Sequence, residues 1–159
     1  MRVTRLVFVF VGTLVSVSAF AQGEVSIERG LQVSIVAGCH DCHTEGYSAS
    51  EGKIDPQKAL KGNSVGFRGP WGTSYASNLR YRAQLTSERG FVVMLKNMRA
   101  RPPMPWYNIH EMDESDLSSL YLYIKSLGAP GEYGSHGIPP NEEPTTPYIQ
   151  LAPPLMPAN

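Results

Sequence analysis

Cys39 and Cys42 are the only cysteines in the chain; they stand three positions apart, and His43 follows the second directly. Whatever this cluster holds sets the geometry around which the rest of the chain must wrap. A disulfide across so short a loop closes very little chain and gains little from restricting the unfolded state. A catalytic dithiol belongs at the strand-to-helix junction of a βαβ unit, whereas the flanking sequence is helical on its N-terminal side and shows no parallel-strand pattern. A structural zinc site takes four ligands. Cys39, Cys42 and His43 make three, there is no second cysteine pair, and His110 and His136 carry no metal-ligand spacing. Cys-x-x-Cys-His instead uses every residue, as the attachment motif of a c-type haem. The two thiols add across the two vinyl groups, and the turn between them aims His43 at the iron as proximal ligand. One covalent haem c is therefore the expected cofactor. His40 and Asp41 fill the variable positions and are expected to be solvated and without a role.

The N-terminus points to export. Arg2 and Arg5 form a short positive region, Leu6 to Val17 is a mainly apolar run, and Ala19 and Ala21 make a small-x-small processing pattern. Together they read as a secretory signal over residues 1–21. The apolar run is shorter than the roughly 20 residues that span a bilayer. Cleavage removes two of the 14 Lys+Arg and leaves 12 against 14 Asp+Glu, a formal charge of −2. That balance gives no reason to expect nucleic acid as a partner. With no second long apolar segment, a soluble periplasmic protein is expected, with no transmembrane segment after cleavage.

Periodicity outlines the rest. Val25 to Ala37 reads as a helix with Ile27, Leu31, Ile35 and Val36 on one face at steps of about four. Gly30 inside it weakens the helix by about 1 kcal/mol relative to alanine, which makes sense where another helix crosses closely. The partner is the last helix: Asp113 as N-cap with Asp116 three residues on, as in a capping box, running to Leu127 with Gly128 as stop signal. Leu117, Leu120, Ile124 and Leu127 line its inner face, with Tyr123 beside them. A helix from Ser87 to about Arg99, capped by Thr86, turns Phe91, Leu95 and Met98 inward, with Met94 nearby. Pro102-Pro103-Met104-Pro105 then enforces an extended loop, because proline has no donor and a fixed φ.

Met94 and Met98 sit on a helical face and read as core, Met112 as a staple of the last helix, and Met156 as part of the tail. Met104, held between prolines, is the expected second iron ligand, since thioether ligation favours the ferrous state. His110, Met112 or an open site are the alternatives. Glu45 to Asn63 is a polar surface loop with a short helix expected around Pro56 to Leu60. Residues 129–159 hold eight of the 13 prolines and show no strand alternation. They form either a disordered tail or an extended strap burying Tyr148, Ile149, Leu151, Leu155 and Met156, and the strap is the reading preferred.

In this order of helix, Cys39-His40-Asp41-Cys42-His43, glycine-rich loop, helix, Pro-Met-Pro loop and final Leu-rich helix, the chain resembles the class I, mono-haem cytochrome c family from about Ile27 to Gly128. The resemblance implies an all-α cytochrome c-like fold of three to five helices around one covalent haem, followed by a Pro-rich C-terminal extension. The domain limits are then 1–21 signal, 22–128 cytochrome c domain and 129–159 tail. In that family the first and last helices cross near a glycine, matched by Gly30, with an aromatic packed there, matched by Tyr123. A narrower likeness, to loops of cytochrome subunits that serve periplasmic dehydrogenases, lies in Gly69-Pro70-Trp71-Gly72-Thr73-Ser74-Tyr75-Ala76-Ser77-Asn78-Leu79. It implies that Tyr75 and Asn78 lie by the haem edge and propionates, that Trp71 or Arg80 helps hold the propionates, and that a carbonyl near Gly69 or Pro70 takes the spare N–H of His43. The chain departs from those loops at Arg80-Tyr81-Arg82.

Three functions fit these residues. The first is an electron carrier that is not itself an enzyme, with redox partners: a periplasmic or membrane dehydrogenase as donor and an oxidase or reductase as acceptor. The second is a fixed haem subunit of a periplasmic dehydrogenase complex. The third, an open-site haem enzyme or sensor, requires that Met104 leave the iron free.

Overall fold

A computed structural model describes residues 23–153; the signal segment and the tail residues Leu155 and Met156 lie outside the described residues. Six α-helices and one small sheet make up the described fold, so the all-α expectation is corrected on two points: there are more helices than three to five, and there are three strands. Two of the helices, Cys39–His43 and Trp106–His110, span five residues each, too short to register in a periodicity search.

Helix α1 (Ile27–Val36) starts at Ser26, whose hydroxyl accepts the Arg29 N–H at 3.1 Å. It crosses α6 (Glu114–Ser126) at Gly30, where the helices touch backbone to backbone. That crossing decides which face of α1 is buried. Gly30, Val33 and Ser34 turn inward, and the expected inner stripe is displaced: Ile27, Leu31 and Ile35 are 45, 36 and 44% exposed. The reason is steric, because the closest approach falls on the residue without a side chain, and its i+3 and i+4 neighbours follow it into the core. On α6 the expected face holds, with Leu117, Leu120, Tyr123 and Ile124 all buried. Asp113 is its N-cap, but its side chain makes no capping bond. Asp116 does not close a capping box either; its carboxylate takes both Nε and an Nη of Arg29 at 2.7 Å and so ties the two helices together.

Between them lie α2 (Cys39–His43), α3 (Leu79–Gln84), α4 (Glu88–Asn97) and α5 (Trp106–His110). Ser87, one residue beyond the expected Thr86, caps α4 by accepting the Gly90 N–H. Phe91, Val92 and Leu95 enter the core, with Met94 and Met98 packed at its edge. Pro56 to Leu60 forms turns and not a helix. Among the described residues no helix is long and apolar enough to cross a membrane.

The sheet comes from the glycine-rich segment. Strands β1 (Gly66–Gly69) and β2 (Gly72–Ser74) form a hairpin around Pro70-Trp71, with Phe67 opposite Ser74 and Arg68 opposite Thr73. The proline-rich tail holds this hairpin from both edges. On one edge Thr73 and Ile138 exchange N–H···O bonds of 2.9 Å. On the other, β3 (Tyr148–Gln150) runs parallel to β1. Gly72, at φ +96°, is required here, because a Cβ would stand 2.2 Å from the Ile138 carbonyl oxygen. The segment is thus an extended strap held by backbone pairing; of its apolar residues expected to be buried, Leu151 is partly so. Tyr148 and Ile149 remain 43 and 50% exposed. A strand paired on one edge with both faces open leaves no alternation to read.

Candidate functional site

Helix α2 presents the motif. Cys39 and Cys42 form no disulfide and are partly exposed, one helical turn apart. Burial pushes the Cys39 thiol up to about 11, and also raises Cys42. Redox-active dithiols have lowered pKa values, the opposite direction. His43 is buried, and its Nδ1–H donates to the Ser77 carbonyl at 2.7 Å. This corrects the carbonyl expected near Gly69 or Pro70: the acceptor lies at the far end of the hairpin segment, one residue before the α3 cap. With Nδ1 protonated, Nε2 keeps its lone pair for a metal, and burial lowers the pKa and keeps the ring neutral.

The hairpin segment touches both candidate ligand regions. At its end Ser77 holds His43, and within it the Ser74 hydroxyl donates to the Pro102 carbonyl, two residues before Met104. The Met104 loop is closed locally by Met104 N–H to Arg101 O (3.3 Å) and Trp106 N–H to Met104 O (2.9 Å). Met104 itself is partly buried. His110, an alternative ligand, has its Nε2 3.0 Å from the Met98 carbonyl, and Met112 packs at the core edge.

The four residues expected at the haem edge divide. Trp71 lies against Gly69, and its Nε1–H is the one buried side-chain polar atom without a partner among the described residues. Tyr75 is partly buried, with its hydroxyl 2.8 Å from Thr146 Oγ1 on the strap. Asn78 and Arg80 have other tasks. Asn78 caps α3 through Oδ1 and spends Nδ2 on the carbonyls of Pro130 (2.8 Å) and Glu132 (2.7 Å). Arg80, 4% exposed, donates to the carbonyls of Ala59, Leu127 and Pro56 and so joins the 56–60 turn, α3 and the end of α6. Its sequence neighbours gave no hint of this, because all three acceptors are backbone atoms from distant segments.

Sequence reasoning missed His40, which is fully buried between Ser34 and Thr44. A variable position inside a short motif carries no periodicity from which burial could be read.

The residues fit a haem on the structure's own terms. Two thiols stand one turn apart, an oriented imidazole has a free lone pair, and an orphaned buried N–H suits a propionate oxygen. The family model for cytochrome c matches residues 27–128. Neither a curated protein nor a solved structure matches the chain. With a single haem c held covalently through Cys39 and Cys42, the chain belongs to the class I cytochrome c family.

Proposed function

We propose that this haem c protein is an exported, periplasmic electron carrier, passing single electrons from a dehydrogenase to an oxidase or reductase, with His43 and Met104 as the axial ligands. The observation that carries this reading is the hairpin segment, tied to His43 through Ser77 and to the Met104 loop through Ser74 and Pro102. One continuous segment, Ser74 to Ser77, thereby reaches both candidate ligand regions. A haem with both axial positions filled supplies one-electron transfer with little rearrangement. The chain's part is to orient His43, to keep its Nδ1 proton on Ser77, and to present a thioether with little entropy left to lose between Pro103 and Pro105. Trp71 Nε1–H is the donor to a propionate. Asn78 and Arg80 support this region from behind, through the strap and the 56–60 turn. Docking to partners is weak and transient, as suits redox pairs.

Exposed Tyr148 and Ile149 on the strap, with exposed Ile27, Leu31 and Ile35 on α1, favour a second reading, a fixed subunit of a periplasmic dehydrogenase. A monomer on purification from the native periplasm supports the carrier; co-purification with a dehydrogenase supports the subunit. For the ligands, optical spectra of the holoprotein in both oxidation states are compared with those of Met104→Ala. A weak red charge-transfer band, present in the ferric wild type and lost in the variant, assigns Met104 to the iron. A wild type without that band and with a high-spin spectrum overturns the carrier reading in favour of an open site.

A further inference from the structure

His40 has no exposed surface although it sits inside the attachment motif. Its Nε2 is 3.1 Å from Ser34 Oγ and its Nδ1 is 2.7 Å from Thr44 Oγ1. The partners settle the tautomer. Ser34 Oγ–H already donates to the Leu31 carbonyl at 2.7 Å, so Ser34 accepts from Nε2–H. Thr44 Oγ1 accepts the Leu60 N–H at 2.9 Å and turns its own proton to Nδ1. The ring therefore has one donor and one acceptor, both used, which is the full capacity of a neutral imidazole. Tyr47 lies beside it at 5.2 Å between ring centroids, and Tyr123 of α6 stands edge-on at 6.1 Å. A side chain so completely bonded is holding something in place.

The bonds beyond it lead to the proximal ligand. Leu60, whose N–H is held by Thr44, receives at its carbonyl the N–H groups of Leu79 (2.9 Å) and Arg80 (3.4 Å). Those residues open α3 directly after Ser77 and Asn78, and Ser77 supplies the acceptor for His43 Nδ1–H at 2.7 Å. Two further bonds clamp the same layers, Gly62 N–H to His43 O (2.9 Å) and Asn63 N–H to Ala76 O (3.2 Å). A closed path thus runs from His40 through Thr44, Leu60, Leu79 and Ser77 back to His43.

We propose that His40 is a positioning residue for the proximal ligand, setting through Thr44 and Leu60 where the Ser77 carbonyl stands against His43 Nδ1–H. This rests on the assignment of His43 to the iron. A hydrogen bond from the far nitrogen makes the imidazole a stronger donor and so favours the ferric state. Loosening it favours the ferrous state and raises the reduction potential.

The test uses the holoprotein. His40→Phe keeps a ring and removes both bonds, Thr44→Val removes the shared hydroxyl, and His40→Asn keeps an acceptor near the Nδ1 position. Ser119→Ala, at the α1–α6 crossing and off the path, is the control for lost stability alone. Potentials come from spectroelectrochemical titration and stabilities from denaturant unfolding. His40→Phe and Thr44→Val shift the equilibrium toward the ferrous form at least threefold, about 30 mV at 59 mV per tenfold for one electron. His40→Asn returns toward wild type, and Ser119→Ala loses stability without a shift. An unmoved potential in Thr44→Val, or an equal shift in Ser119→Ala, reduces His40 to packing and overturns the proposal. Should His40→Phe fail to accumulate as holoprotein, Thr44→Val decides. Ligation is tested separately: if His43→Ala keeps the wild-type low-spin spectrum, the ligand assignment itself has failed.

Discussion

A single methyl group at Gly30 tests the helix crossing on which the fold depends. An added Cβ would lie 2.0 Å from the Ser119 carbonyl oxygen, 2.6 Å from its carbon and 2.7 Å from Tyr123 Cβ. Ordinary contact begins at 3.4 Å, so α1 and α6 must part by about 1.4 Å, the difference from 2.0 Å. The nearest obstacle is backbone in the middle of a helix, which cannot swing aside as a side-chain tip can. Overpacking of this kind costs about 3 kcal/mol, the upper part of its usual range. Parting the helices also weakens the Ser26 N–H bond to Ser119 Oγ, for about 1 kcal/mol more. Alanine's better helix propensity returns about 1 kcal/mol. Gly30→Ala should therefore destabilise by about 3 kcal/mol. In guanidinium unfolding of the holoprotein, with a slope of about 3 kcal/mol per molar, the midpoint should fall by about 1 M. A midpoint unchanged or raised would mean that propensity alone acts at this position, and the backbone contact would be refuted.

Other outcomes follow from the same structure. Arg80→Lys should destabilise by about 2–3 kcal/mol, because one ammonium cannot reach three separated carbonyls and leaves buried acceptors unpaired; a loss below 0.5 kcal/mol would refute it. Burial pushes the His40 pKa down to about 4, partly offset by Asp41, with Tyr47 and Tyr123 the other titratable groups around the ring. The folded value lies below the ordinary 6.5, so full stability is present above that pH. About 3 kcal/mol is lost as the pH falls toward 4, and denaturation of His40→Asn across that window should show a correspondingly shallower pH slope. Trp71→Phe should change the reduction potential while leaving stability nearly unmoved, since its N–H has no protein partner to lose; the opposite pattern would place the propionate elsewhere. Deleting residues 138–159 should speed amide exchange at Gly66 and Thr73, whose N–H groups bond to Pro147 O and Ile138 O, and protection that survives the deletion would show the strap to be dispensable.

The attachment cluster was legible in the sequence because its chemistry is local: two thiols and an imidazole within one turn need no distant partner to be understood. The inner face of α6 was legible for a related reason, since Leu117, Leu120 and Ile124 keep a 3.6-residue period and are all buried. The same rule misplaced α1. There the apolar period of Ile27, Leu31 and Ile35 lost to the backbone contact at Gly30, and steric approach outranks hydrophobic pattern where two helices touch without side chains between them. The acceptor for His43 and the tasks of Asn78 and Arg80 depended on carbonyls brought from 21 to 54 residues away, and the burial of His40 on hydroxyls four and six residues away that the fold turns inward. Every residue carries a carbonyl, so no residue type marks which one will be the partner. The chain by itself thus determined the cofactor and the inner face of the last helix. Only the tertiary structure decided which backbone atoms hold the ligand, because backbone acceptors become distinct only once the fold has placed them.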